Sequence, residues 1–235
     1  MATWAVSDLH GNYELFLAIL DKIDPKDTVY FLGDACDRGP DGYDLMRSIW
    51  LESNWIYLMG NHEEMFLDAT RDYVQNGCWM YETYAFSVQN GGLDTLADWE
   101  YEEEANRLMW YHRFSKLPMS AEYVNTKGQR IFLCHRGFTP VMNRHTKKVE
   151  MYQSSYRLLW DRNHMADYKW PAHMPDIYVV HGHTPIQSQI PGYTIDMGPL
   201  FYQGLHKIDI DCASYTTNAA FVFNLDTFEY LTVRI

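Results

Sequence analysis

The feature that most constrains this fold is a repeated change from short apolar segments to polar residues. Five segments rich in β-branched and aromatic residues end abruptly in polar or glycine-containing stretches: TWAVSDLHG, TVYFLGDACDRG, NWIYLMGNHEE, RIFLCHRGF and IYVVHGHTP. Continuous apolar runs of this length, bounded by turn residues, are typical of strands buried on both faces. Amphipathic stretches of helical length separate the first three, NYELFLAILDKI and DGYDLMRSIWLES. The order strand, helix, strand, helix, strand predicts an α/β fold.

The remaining segments suggest how the rest of the chain is organised. Residues 64–117 contain no strand pattern, and EEMFLDATRDYV and EEEANRLMWYHRF predict helices on either side of the breaker NGG. We interpret 64–117 as a helical insertion, or cap, over one side of the sheet. The C-terminal segments TIDMG, HKIDIDC, AAFVFNLDT and FEYLTVRI predict short alternating strands, with NLDT as a hairpin turn. No repeat or flexible linker interrupts the chain, so residues 1–235 are predicted to form a single domain.

Composition excludes several classes of protein. With 31 acidic and 19 basic residues, the net charge of -12 makes a nucleic-acid backbone a poor partner. The four cysteines form no C-x-x-C pair, which argues against a zinc ribbon or a disulfide framework. No targeting segment and no window of about 18 apolar residues is present, so no membrane partner is expected. These observations predict a cytoplasmic protein of unknown oligomeric state.

Metal-competent side chains follow each of the five strand-like segments. They are Asp8 and His10, Asp34, Asn61 and His62, His135, and His181 and His183. In open α/β sheets the carboxyl ends of the strands form the crevice that binds ligands. A single histidine near a strand end is usually only hydrogen-bonded, but repetition at five strand ends predicts one shared site at one edge of the sheet.

The donor types indicate which chemistry this site supports. Imidazole nitrogens with carboxylate and amide oxygens, and no thiolate, suit Mn, Fe or Zn. At least six candidates converge, so two ions sharing a carboxylate are more natural than one crowded ion. Such a dinuclear site, with ions about 3.5–4 Å apart, activates water for in-line displacement at phosphate esters. Arg38 would match two phosphate oxygens, and Asp37 could orient a histidine.

At this point the motifs resemble a known family. SDLHG, GDACDRG and GNHEE resemble the three signature blocks of the phosphoprotein phosphatase branch of the calcineurin-like metallophosphoesterases. CHRGF, LLWDR and VVHGHTP fit its remaining blocks in order, and VQNGGLDTL is similar to a segment of the small bacterial and phage members. The similarity runs from Asp8 to about Asp196. It implies the metallo-dependent phosphatase fold, an α+β sandwich of central mixed β-sheets flanked by helices.

The resemblance also implies a role for each site residue. Asp34 would bridge two divalent ions, most naturally Mn²⁺, with Fe or Zn as alternatives. The other implied ligands are Asp8 and His10 for the first ion, and Asn61, His135 and His183 for the second. A metal-bridging hydroxide would attack phosphorus, and His62 would protonate the leaving group while Asp37 holds its ring. Arg38, Asn61 and Arg162 would bind the substrate, with both arginines gripping the phosphoryl group.

The activity expected from the resemblance is hydrolysis of phosphoserine or phosphothreonine in proteins, with phosphotyrosine and small phosphoesters as further substrates. The alternative on the same scaffold is a symmetrical dinucleoside tetraphosphate hydrolase. That branch usually lacks the aspartate before the arginine, so Asp37 and the GNHE motif favour the protein phosphatase. An inactive metal-binding scaffold is disfavoured because no ligand, catalytic histidine or arginine is missing.

Four positions leave open questions. Ser7 replaces the glycine that usually starts the first block, which a small residue should tolerate. Arg136 follows His135 where the family has a small residue, and it could either add a cation beside the substrate or form a surface salt bridge. His181 is expected to face away from the metals, and Cys36 is interpreted as structural.

Overall fold

The computed structural model describes residues 1–138, 141–142, 145, 149–150, 155–160, 176–202 and 204–235. The strands in chain order are β1 Thr3–Val6, β2 Thr28–Phe31, β3 Trp55–Tyr57, β4 Ser120–Val124, β5 Arg130–Cys134, β6 Val141–Met142, β7 Val149–Glu150, β8 Ile177–His181, β9 Leu200–Phe201, β10 Lys207–Asp209, β11 Ala219–Asn224 and β12 Tyr230–Arg234. The helices are α1 Tyr13–Leu20, α2 Gly42–Leu51, α3 Asn61–Asn76, α4 Tyr81–Gln89, α5 Leu93–Tyr101, α6 Glu104–Phe114, α7 Ser155–Leu159, α8 Ile186–Gln189 and α9 Ser214–Thr217.

Two mixed five-stranded sheets form the centre of the molecule. The first has the order β12-β11-β1-β2-β3. In it, β1, β2 and β3 are parallel to one another, and β11 is antiparallel to both of its neighbours, β1 and β12. The second has the order β4-β5-β8-β10-β9, in which β5, β8 and β10 are parallel. With the helices packed against them, these sheets confirm the predicted fold of mixed β-sheets flanked by helices.

The central strands β1, β2, β5, β8 and β11 are largely buried on both faces because each face packs against a different layer. Val29 and Phe31 of β2 belong to the cluster shared with the helices, which includes Phe16 of α1. Tyr30, between them, points the other way and packs with residues of the second sheet such as Ile131. Side chains along a strand alternate between faces, so a strand in the middle layer must be apolar at every position. This packing explains the continuous apolar runs.

Several predicted segments differ from what is observed. TIDMG was expected to be a strand, but Ile195–Met197 forms a 3₁₀ turn. All six residues of β11 are buried, where an alternating pattern was expected, because both faces of the strand are covered. Ala220 and Val222 pack in the cluster shared with the helices, and Phe221 and Phe223 pack in the cluster shared with the second sheet. The NLDT hairpin between β11 and β12 is confirmed by their antiparallel pairing.

The segment interpreted as an insertion is helical. The helices α3 to α6 follow one another from Asn61 to Phe114, and no strand lies among these described residues. The single domain over 1–235, and a capping role for residues 64–117, stay predictions. Within the described part of the chain, no helix is both long and apolar enough to cross a membrane.

Candidate active site

The predicted site residues that the structure describes lie where the carboxyl ends of strands from the two sheets meet. Asp34 follows β2 of the first sheet, and His135 follows β5 of the second. An oxygen of Asp34 lies 3.4 Å from Nε2 of His135. The sequence pattern predicted convergence at one edge of one sheet. The convergence is observed, but it is built from β1, β2 and β3 of one sheet and β5 and β8 of the other.

Asp34 is shared by two sets of donor atoms that could each hold a metal ion. The first set is His10, Asp34 and His62, and the second is Asp34, His135 and His183; within each set the ligand atoms lie within 4.8 Å of one another. Oδ2 of Asp34 is 3.6 Å from Nε2 of His10 and 3.8 Å from Nε2 of His62. Oδ1 faces His135 instead. One carboxylate therefore presents an oxygen to each set.

Asn61 joins the second set. Its Oδ1 lies 2.8 Å from Nε2 of His135 and 2.8 Å from Nδ1 of His183. Both imidazoles and the amide oxygen therefore point to one common position. Asn61 reaches this position because it is the first residue of α3, which is separated from the short β3 strand by only three residues.

Asp8 contacts this site through the backbone of His183. Its carboxylate oxygens accept a hydrogen bond from the His183 amide at 3.1 and 3.2 Å, and the Ser7 hydroxyl donates to the same carboxylate. Among the described residues, the two three-residue sets do not include Asp8. A role for Asp8 as ligand of the first ion stays a prediction, and His62 occupies a place in that first set.

His62, Asp37 and Arg38 form a connected group beside the first set. Nδ1 of His62 lies 2.7 Å from Oδ2 of Asp37, with both side chains buried. The Arg38 guanidinium donates to Nε2 of His10 at 2.9 Å and to Nε2 of His62 at 3.1 Å. The His62 ring thus has a carboxylate at its Nδ1 atom and a guanidinium at its Nε2 atom.

Backbone strain is concentrated at these residues. Left-handed φ angles occur at Asp8 (55°), Asp34 (60°), Asp37 (68°), Arg38 (69°) and His183 (75°). Non-glycine residues in this region are uncommon, and sparsely populated conformations cost on the order of 1–3 kcal/mol each. The surrounding fold must stabilise these left-handed conformations. They place the polar side chains of the site just beyond the ends of the strands.

Glu63 supports this arrangement, although the sequence motifs did not identify it as a functional residue. Its buried carboxylate accepts hydrogen bonds from the amides of Asp34 (2.8 Å), Ala35 (2.7 Å) and Gly60 (2.8 Å). The hydroxyl of Tyr57 donates to it at 2.7 Å. A glutamate at the third position of a helix often accepts a hydrogen bond from the backbone amide of the N-cap residue. The position of Glu63 in GNHEE could therefore have predicted its contact with Gly60. The contacts to Asp34 and Ala35 depend on tertiary structure.

Burial and neighbouring charges set the protonation of the site. Burial would raise the pKa of Asp34, but His135 and His62 hold it well below its usual value. Burial would lower the pKa of His135, but Asp34 raises it to about 10. Burial raises the pKa of Asp8 to about 6. Asp34 is therefore the carboxylate whose ionised form the cluster stabilises most.

These residues fit a pair of divalent metal ions. The donors are imidazole nitrogens and carboxylate or amide oxygens, they are buried, and they converge on two positions that share one carboxylate. Such a donor set suits Mn, Fe or Zn, and a shared carboxylate is what a dinuclear site requires.

Four further positions complete the comparison with the sequence. Arg136 is buried and donates to the Gly137 carbonyl at 3.1 Å, so its side chain lies in the interior and not at the surface. His181 is buried with its ring stacked on Tyr202, so it is turned away from the donor sets. Cys36 is buried with its sulfur 3.9 Å from Glu63, in keeping with a structural role. Arg162 lies outside the described residues.

The fold and the site together define the class of a metal-dependent phosphoesterase. A profile of the calcineurin-like phosphoesterase family matches residues 1–209 of the chain. The chain therefore belongs to the calcineurin-like phosphoesterases.

Two curated relatives show the range of activities within this similarity. The chain is 28% identical to serine/threonine-protein phosphatase 2 of Salmonella typhimurium over 168 residues, which are 69% of this chain and 68% of that protein. It is 27% identical to the symmetrical bis(5'-nucleosyl)-tetraphosphatase of Escherichia coli over 153 residues, 63% of this chain and 48% of that enzyme. The second match thus spans only about half of its relative.

Solved structures share the fold. A structure described only provisionally as a diadenosine tetraphosphatase superposes with a TM-score of 0.59 at 14% identity, covering 98% of this chain and 92% of the other. A serine/threonine phosphatase of Saccharomyces cerevisiae, similar to human PP5, has a TM-score of 0.55 at 16% identity, covering 100% of this chain and 80% of the other. Similarity at this level of identity supports the architecture alone.

Proposed function

We propose that this phosphoesterase is a protein phosphatase that hydrolyses phosphoserine and phosphothreonine. The observation that carries the proposal is the 2.7 Å contact between Asp37 and His62 beside the two donor sets. A carboxylate behind an imidazole fixes the tautomer of the ring and stabilises its protonated form, as general acid catalysis requires. Asp37 is also the residue that the dinucleotide-hydrolase branch usually lacks.

Each residue of the site takes one part in the proposed reaction. Two divalent ions, held by His10, Asp34, Asn61, His135 and His183 with Asp8, would supply an activated water and polarise the phosphoryl oxygens. His62 would give its proton from Nε2 to the oxygen of the leaving serine or threonine. Arg38 would bind the phosphoryl oxygens, since its guanidinium already reaches Nε2 of both His10 and His62. Arg162 is proposed as a second phosphoryl-binding arginine on sequence alone.

The finer biochemical properties belong to the same proposal. Mn²⁺ is the proposed metal because it suits a nitrogen and oxygen donor set, with Fe and Zn as alternatives. The cytoplasm is the proposed compartment, in keeping with four cysteines that form no disulfide in the structure. Phosphotyrosine and small phosphoesters are proposed as additional substrates.

A symmetrical dinucleoside tetraphosphate hydrolase is the second candidate. It is favoured by the 27% identity to the Escherichia coli enzyme, which nearly equals the identity to the Salmonella phosphatase. The donor sets and His62 would serve either reaction, because both cleave a bond between phosphorus and oxygen, whereas Asp37 favours the protein phosphatase.

A direct comparison of substrates tests the proposal. The Mn²⁺-loaded protein is assayed on a phosphothreonine peptide and on diadenosine tetraphosphate, with His62→Ala as the blank. We expect kcat/KM for the peptide to exceed that for the dinucleotide by at least about a hundredfold, which is roughly 2.7 kcal/mol of transition-state discrimination. The opposite preference would assign the chain to nucleotide hydrolysis, and no activity above the blank on either substrate would indicate a scaffold.

A further inference from the structure

A groove opens directly beside the proposed phosphoryl site. It is a cavity of about 440 Å³ whose walls include His10 and Arg38 at one end. A substrate whose phosphate lies at the donor sets would extend into this groove with the atoms next to its phosphorylated residue. The charge of the side chains that line the groove therefore influences which flanking residues the site accepts.

Two acidic side chains also line this groove, and neither belongs to the donor sets. Glu14 is in the first turn of α1, and Asp41 is the N-cap residue of α2; both are exposed. In the described part of the chain, neither carboxylate is within ion-pair distance of a lysine or arginine. By contrast, Asp44 lies 2.6 Å from Arg47. The groove thus presents two negative charges that no lysine or arginine of the described residues neutralises.

One cationic side chain, Arg38, also lines the groove. Its guanidinium donates to Nε2 of His10 at 2.9 Å and to Nε2 of His62 at 3.1 Å. The guanidinium carbon lies 5.2 Å from the centre of the Tyr215 ring. Arg38 is therefore engaged with the histidines of the site, whereas Glu14 and Asp41 have no ion-pair partner among the described residues.

The remaining polar walls are held in place by the fold. Asn12 accepts from the Leu15 amide at 3.1 Å through its side-chain oxygen, and its amide nitrogen donates to Asn218 at 3.3 Å. This pair joins the start of α1 to the end of α9, across 206 residues of sequence. The groove is formed by four chain segments, and its aromatic and amide walls are surfaces on which the alkyl stem of a long side chain can pack.

We infer that this groove binds a lysine or arginine side chain next to the phosphorylated residue, so that Glu14 and Asp41 determine specificity for basic phosphopeptides. The inference rests on the proposed protein phosphatase function. Two unneutralised carboxylates attract a cationic side chain and repel the polyphosphate chain of a dinucleotide.

The test compares two phosphothreonine peptides that differ only in their flanking residues, arginine in one and glutamate in the other. The variants are Glu14→Gln, Asp41→Asn and the double change, with Asp21→Asn as a charge-matched control at the opposite end of α1. We expect the wild-type protein to prefer the arginine peptide by about three- to tenfold in kcat/KM, since exposed ion pairs are individually weak. The ratio of kcat/KM for the arginine peptide to that for the glutamate peptide should fall in each single variant and approach unity in the double variant. In Asp21→Asn the ratio should stay at the wild-type value.

The ratio between two peptides on the same sample is insensitive to loss of folded protein, so a stability effect of either change cancels. The preference should also shrink in about 1 M salt, where the Debye length is about 3 Å. Equal turnover of both peptides by the wild-type protein, or an unchanged ratio in the double variant, would overturn the groove assignment while leaving the protein phosphatase intact. Hydrolysis of diadenosine tetraphosphate with neither peptide turned over would overturn the proposed function, and the groove assignment with it.

Discussion

At the scale of single residues, His62 has contacts that fit two different roles. Its Nδ1 is bound to Asp37 at 2.7 Å, which suits a general acid whose ring is oriented from behind. Its Nε2 belongs to the first donor set and lies 3.8 Å from Asp34, which suits a metal ligand. The two roles differ in what happens to the metal when the imidazole is removed.

We expect His62→Ala to lower kcat by roughly 10²–10⁴-fold, the usual contribution of a general acid or base, with the metal content unchanged. Steady-state kinetics and elemental analysis of the same preparation measure both quantities. His112→Ala, which changes an exposed histidine of α6, is the matched control. Loss of one ion per chain in His62→Ala would instead make His62 a ligand.

At the scale of elements, Asp27 connects the start of β1 to the turn before β2. Its carboxylate accepts from the Ala2 amide at 2.6 Å and from the Trp4 indole at 2.9 Å. Burial alone would raise the pKa of Asp27, but these hydrogen bonds lower it below its usual value of 3.8. Since Asp8 lies two residues after the end of β1 at Val6, this contact helps to hold the first strand of the site in register with β2.

We expect Asp27→Asn to lower the free energy of unfolding by about 1–3 kcal/mol at neutral pH, because the partly buried Ala2 amide and Trp4 indole lose a charged acceptor. A pKa that is lower in the folded state gives stabilisation that is present above pH 3.8 and is lost as the pH falls through the folded value. The difference in the free energy of unfolding between wild type and variant, measured by urea unfolding, should therefore become smaller from pH 7 toward pH 3. A difference that stays constant over this range would contradict a charge-dependent contact. Asp24→Asn in the same turn is the control.

At the scale of the whole molecule, the donor sets join the two sheets. Asp34 and Asn61 come from the first sheet and its following helix, and His135 and His183 come from the second sheet. A ligand that binds only this assembled arrangement stabilises the folded state by an amount that rises with the logarithm of its concentration once that concentration exceeds its dissociation constant. Metal binding is accordingly coupled to the packing of one sheet against the other.

We expect a divalent metal at about 100 times its dissociation constant to add about 2.7 kcal/mol to the free energy of unfolding. In a chain of this size that corresponds to a rise in Tm of about 5–11 °C over the chelated protein. Asp34→Asn should lose this metal-dependent rise, whereas Asp21→Asn should keep it. Thermal unfolding with and without a chelator measures the shift, and equal Tm values for the wild-type protein in both conditions would argue against a site shared by the sheets.

Local patterns in the sequence predicted the main elements and the composition of the site. The strands before Asp8, Asp34, Asn61, His135 and His183 and the helices between the first three follow from apolar runs and helical periodicity, which are properties of neighbouring residues. The identity of the donors likewise follows from residue type, and it was enough to predict a nitrogen and oxygen metal site. The 3₁₀ turn at Ile195–Met197 and the fully buried β11 were not predictable, because neighbouring layers decide both.

By itself, the sequence determined the apolar strands, the polar residues that follow them and the chemical type of the ligands, since each depends on covalent structure and short-range order. Only the tertiary structure decided that two sheets share the site, that Asp8 contacts the His183 amide across 175 residues, and that Glu63 holds the Asp34 loop. It also decided that Glu14 and Asp41 line a groove beside Arg38. These are distances between segments far apart in the chain, and they are set by the packing of layers, which no local pattern encodes.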